Sequence, residues 1–309
     1  MSSPKYANRF LFVLYIFLIF LPFTRFILNI ESETISKYFW VVQSIYSILC
    51  FMIPIFLFMF IAKVKFKDII PLAPLKIKNF FLIIFLGFAM QPMLDLIANI
   101  TNLFYKDEVS GFVLSFTNLN YFVSLFTLAV VPAIVEELAF RGIILSSYKN
   151  NPVLTGVLMS SFYFGIMHLT ITQFFYAIAG GILFSLLVKV TKSIYSSILI
   201  HFIFNGTQIT IAYIVSKFTH NIDISMVNNI NDFQNIFFSL IRFIATLPFL
   251  ILSIFLFIIF NINEIRDLME ENKKIKLENN KEKIFTPFFF INVIIWVLFI
   301  SLNVINNNS

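Results

Sequence analysis

Charge is scarce in this chain. Asp, Glu, Lys and Arg together make up 12% of its 309 residues, while 59% are apolar and 43 are Phe. Soluble domains average about 25% charged and roughly 45–50% apolar residues. A soluble globular domain is therefore excluded, and an all-α polytopic transmembrane bundle is expected. Cysteine is scarcer still. Cys50 is alone, so no intramolecular disulfide can form; in an apolar run it reads as a small buried or lipid-facing residue. The first apolar run is too long for a secretory signal and lacks a small-residue cleavage site. Internal repeats and matching interrupted helices are missing, which counts against a transporter built from two halves. The formal net charge of +6 is spread over short loops rather than gathered on one face. It describes membrane orientation, and no nucleic-acid partner is expected.

Against this apolar background, nine runs read as spans, at about 10–30, 38–62, 80–104, 119–147, 153–169, 174–188, 194–216, 235–260 and 285–302. They suggest one membrane domain over 1–309, with three N-terminal spans in 10–104, a core in 119–216 and C-terminal spans in 217–309. Five Lys (63, 65, 67, 76 and 78) crowd the loop after the second run, opposed only by Asp68, and Pro71 and Pro74 break any helix there. That loop and the N-terminus, with Lys5 and Arg9, are placed in the cytoplasm. Residues 261–283 are strongly charged and read as a solvated, partly helical cytoplasmic loop, with a docking segment as the alternative. Asn118 is a candidate helix cap. Asp95 and Asn99, four apart, share a helix face expected to look inward. The abundance of Phe, Ile, Asn and Lys resembles an AT-rich coding bias and points to a bacterium.

Glu136, Glu137 and Arg141 lie inside the fourth run. Ionisable groups at that depth are costly and mark a functional site by default. Adjacent acids project about 100° apart, so Glu136 and Glu137 cannot share one job. Glu137 and Arg141, at i and i+4 with the acid first, are expected to pair along one helix face, which leaves Glu136 in need of partners from elsewhere. His168 on the fifth run and His201 on the seventh are the candidates, and Asn205 shares a face with His201. A carboxylate, two imidazoles and a carboxamide read together as a hydrolytic centre. Glu136 is the general base toward a water held by His168, and His201 and Asn205 donate to the oxyanion. Taken singly, each group reads equally well as an interhelical hydrogen-bond partner. Three helices bringing polar groups to a comparable depth favour the joint interpretation.

Glu-Glu-x-x-x-Arg at 136–141, Phe-x-x-x-His at 164–168 and His-x-x-x-Asn at 201–205 resemble the CAAX protease and bacteriocin-processing (CPBP, Abi) family of intramembrane endopeptidases. Pro132, Phe140-Arg-Gly142 and the lead-in from Thr191 to His201 agree with it, while Tyr195 stands where Trp is frequent and Ser185 where a second Gly is common. The resemblance covers about 120–215. It implies a cell-membrane enzyme with its site inside the bilayer, open toward the cytoplasm, with Glu136 as base, His168 binding water, His201 and Asn205 stabilising the oxyanion, and Glu137 and Arg141 in support. The implied partner is a peptide or membrane-anchored substrate; for a bacterial chain, maturation of a leader, bacteriocin or signalling peptide fits better than a prenylated tail. No cofactor is expected. The alternative is zinc on Glu136, His168 and His201 with an open fourth position, although no His-Glu-x-x-His pair is present. Two other functions stay open: an immunity or scaffold protein that binds a toxin or partner without cutting it, and a transport path lined by Asp95, Glu136 and Glu137.

Overall fold

The computed structural model describes residues 3–23, 38–105, 109–218, 232–278 and 282–308. It is a helical bundle, and among the described residues the only β pairing is one isolated bridge between Leu72 and Ser193. The helices are α1 (Pro4–Phe20), α2 (Phe39–Ala62), α3 (Ile77–Ala89), α4 (Gln91–Asn102), α5 (Tyr121–Ser147), α6 (Val153–Met167), α7 (Ile171–Thr191), α8 (Ile194–Phe218), α9 (Asp232–Phe260), α10 (Ile262–Glu278) and α11 (Pro287–Asn308). Among the described residues seven segments are long and apolar enough to cross a membrane: α2, α3 with α4, α5, α7, α8, α9 and α11. Expected spans one and five fall short of that length. α1 has 17 residues before a 3-10 turn over Leu21–Phe23, and residues 24–30 of that expected span lie outside the described residues. α6 has 15 residues, about 22 Å of helix against a hydrocarbon core of about 30 Å.

Several boundaries differ from the sequence expectation for local reasons. The third span breaks at Met90 because Pro92 opens a new helix there. Asn120, not Asn118, caps α5, its side chain accepting from Phe122 N at 2.9 Å. The charged stretch after α9 is helical over Ile262–Glu278; Ile265 and Leu268 give it an apolar edge that packs on the second of two core clusters. α1, α2, α5 and α6 build the first cluster, and α3, α4, α7 and α8 dominate the second.

α10 is tied down by polar contacts as well. Lys76 Nζ donates to Glu264 Oε1 at 2.7 Å, and Asn272 Oδ1 accepts from Val153 N at 2.9 Å. The Lys76 ammonium holds the Glu264 carboxyl below its ordinary range. Its stabilising contribution is therefore present above the unfolded Glu value, about 4.3, and is lost as pH falls through the lower folded value. The pair is solvent-exposed, so the effect is at most about 1 kcal/mol. Limited proteolysis of α10 is expected to quicken modestly on acidification, and Lys76→Ala should weaken that pH dependence, leaving Lys78 at 3.6 Å from the Glu264 carboxyl.

Candidate active site

α5 is not a uniform α-helix. Its hydrogen bonding turns π-helical over Phe126–Val130 and again over Leu138–Ile144, on either side of an α-helical Val131–Glu137. Such widened turns cluster at functional sites because they re-aim side chains. Here they bracket Glu136 and Glu137.

Glu137 and Arg141 pair as expected, Arg141 Nη1 donating to Glu137 Oε1 at 2.9 Å, with both side chains fully buried. The guanidinium is sealed in further ways. Nη2 donates to Gly181 O at 3.2 Å, and the rings of Phe164 and Phe184 lie 4.6 and 5.2 Å from its centre. Gly181 makes this approach possible, since a Cβ there would stand 3.1 Å from Ser161 Cα and 3.2 Å from Arg141 Nη2.

The pairing of His201 differs from the sequence expectation. Its short contact goes to Glu137, not Glu136: Nδ1 lies 2.9 Å from Glu137 Oε1, while Nε2 lies 4.0 Å from Glu136 Oε2. A carboxylate only accepts, so Nδ1 carries the proton and Nε2 is turned to Glu136. Glu137 thus joins Arg141 to His201 and fixes the imidazole, which explains why it is buried whereas the Glu136 side chain keeps 18% exposure. Phe164 and Phe184 also pack on the His201 ring.

His168 ends α6. Its Nδ1 lies 2.7 Å from Phe164 O, which makes Nδ1 the donor and leaves Nε2 as an acceptor. Leu169 follows with φ 56°, a left-handed conformation that turns the chain sharply into α7. Asn205 Nδ2 donates to Leu128 O at 3.2 Å, in the first π-helical stretch, which occupies one of its two N–H groups.

Glu136, His168, His201 and Asn205 all line one cavity of about 890 Å³. The four groups expected to act together are therefore brought together. Glu137 and Arg141 stand behind the wall. Asp95 and Asn99 line the same cavity, with Asn99 Nδ2 donating to Asp95 Oδ1 at 3.1 Å. Asp95 also pairs at 2.7 Å with Arg242 of α9, a partner that sequence reasoning did not supply because 147 residues separate the two. Phe184 was missed too; among 43 Phe nothing singles it out. Cys50 is buried at the cavity wall.

Among the described residues no three His, Cys, Asp or Glu side chains gather as a metal-ligating group.

The cavity is lined by helix halves remote from the Lys-rich loop. Its walls reach Asn102 at the end of α4, Val113 and Leu114 in the α4–α5 connection, Leu169 after α6 and Val215 near the end of α8. At the other end the site is closed. Ile69 and Ile70 are buried, Ser146 Oγ donates to Ile69 O at 2.7 Å, and Ile194 N donates to Pro71 O at 2.7 Å. Ile70 sits where a Cβ on Gly142 would fall, 2.2 Å from its Cδ1. Gly142→Ala is therefore expected to overpack this plug and cost about 1–3 kcal/mol, read as a lower thermal midpoint in detergent.

Residues 118–207 match the family of type II CAAX prenyl endopeptidase Rce1-like proteins. The resemblance carried by the three motifs is thus borne out over the stretch that holds all six candidate residues, and the similarity is to a protease family. No curated protein and no solved structure matches the chain.

Proposed function

We propose that this multi-pass membrane protein is an intramembrane endopeptidase that hydrolyses a peptide bond with a glutamate-activated water. The observation that carries this reading is the convergence of Glu136, His168, His201 and Asn205 on one cavity inside the bundle. A peptide or membrane-anchored segment enters the cavity, and a water hydrogen-bonds to His168 Nε2 and to Glu136. The Glu136 carboxylate takes a proton from that water as its oxygen attacks the carbonyl carbon. The developing oxyanion accepts from the free N–H of Asn205 and from His201 Nε2. Because His201 Nδ1–H is committed to Glu137, Nε2 donates only in the imidazolium form, and two carboxylates then face two cations. Glu136 returns its proton to the leaving nitrogen as the C–N bond breaks, giving a carboxylic acid and an amine.

Hydrolysis without a metal is part of the proposal; it is supported by a carboxylate, two imidazoles and a carboxamide supplying the base, the water site and the oxyanion donors. The test is incubation of the purified, lipid-reconstituted protein with a peptide library, with products read by mass spectrometry. Fragments cut at internal bonds, formed equally with and without a strong chelator, are expected. Peptide retained but never cut would return the protein to the binding class of immunity or scaffold proteins, and cleavage abolished by chelator would overturn the metal-free mechanism.

A further inference from the structure

Two expectations drawn from the sequence conflict in the fold. The Lys-rich loop marks the cytoplasmic side, yet the cavity is lined by the helix halves at the opposite end of the bundle. Helix ends that share the loop's side bring Lys5 and Arg9 within the first turns of α1, Lys149 after α5, Lys189 in the last turn of α7 and Lys192 just after it. Contacts hold these ends together. Lys76 reaches Glu264, Val153 N reaches Asn272, and Leu72 pairs with Ser193. At the cavity end the described residues bring Lys217, and Arg242 within α9, which is paired with Asp95; Arg25, Lys37 and Lys106 belong to stretches outside them, and together these do not outweigh the other side. The Lys/Arg bias of short loops sets orientation, and acids count little.

We infer that the cavity is fed from the non-cytoplasmic face of the membrane. Its substrate is therefore a peptide segment displayed on, or entering the bilayer from, that face, such as part of an exported chain. The inference rests on the peptidase reading for its substrate class, though not for its orientation. Three further features agree. The segment 69–72 plugs the basic end over Gly142 and the α8 start. α6 stops short at His168, and non-helical backbone at such depth is tolerated where it lines a water-filled cavity. The walls at the cavity end carry Gln43, Asn99, Asn102, Gln173 and Gln208, carboxamides that both donate to and accept from an extended peptide backbone.

The test has two independent arms. In the first, Cys50→Ser protein carrying Lys67→Cys, Lys217→Cys or Gln208→Cys is expressed in intact cells and exposed to a membrane-impermeant maleimide. Labelling of positions 217 and 208 without permeabilisation, and of 67 only after it, is expected. The reverse pattern overturns the orientation whatever the protein's activity. In the second, the wild-type protein and Glu136→Gln are compared in sealed right-side-out and inside-out vesicles with a membrane-impermeant peptide. Glu136-dependent cleavage is expected in right-side-out vesicles and at least tenfold less in inside-out ones. The opposite preference overturns the access route, whereas cleavage in neither, with correct labelling, overturns the peptidase reading and leaves the orientation standing.

Discussion

Glu137→Gln is expected to destabilise the protein by about 3–5 kcal/mol, and Arg141→Met by a similar amount, because each strips a fully buried charge of its counter-charge. The two side chains have no exposure and meet at 2.9 Å, so neither can turn to water when the other is removed. The double variant Glu137→Gln with Arg141→Met is expected to be more stable than either single variant, since it leaves no uncompensated buried charge. Unfolding in detergent or lipid measures all three against the wild type; additive losses would show that the pair is not coupled. Activity should behave differently. His201 Nδ1 is held by Glu137 Oε1, and a carboxamide there no longer balances an imidazolium, so recovered stability should come without recovered cleavage.

Glu136→Gln is expected to do the converse: lower kcat/KM by roughly 10²- to 10⁴-fold, the usual contribution of a positioned general base, while leaving folding and membrane insertion intact. The side chain is partly exposed to the cavity, and the His201 imidazole it faces is 4.0 Å away, too far for a direct hydrogen bond, which leaves the carboxylate free to take a proton from water. Gln keeps the volume and cannot take the proton. A near-normal rate in this variant would assign the base to another group. Glu136 and Glu137 are neighbours in sequence, and the two substitutions should separate cleanly, one costing turnover and the other costing the fold as well.

The bundle was legible because its signals are long. Runs of twenty apolar residues and short Lys-bearing loops need no tertiary context, and helices occupy all nine expected regions. The Glu137–Arg141 pair was legible for the same local reason, being four residues apart on one helix. What the sequence withheld is what depends on aim. The π-helical turns of α5 set where Glu136 and Glu137 point, and no residue type announces them. For that reason the sequence offered His201 to Glu136, whereas the fold bonds it to Glu137. Arg242 was overlooked because its partner Asp95 lies on a different helix, and Phe184 because Phe is everywhere in this chain. The end of the bundle toward which the cavity lies was also beyond reach, since it depends on which halves of seven helices line it.

The central claim is that a peptide bond is brought to Glu136 between the two imidazoles. A structure of the Glu136→Gln variant with an uncut peptide bound in lipid tests it most directly. The account predicts that a peptide carbonyl carbon lies about 3–3.5 Å from a water shared by residue 136 and His168 Nε2, with its oxygen turned toward Asn205 and His201 Nε2. A peptide seated elsewhere on the protein, with residue 136 and both imidazoles facing no peptide atom, would contradict it.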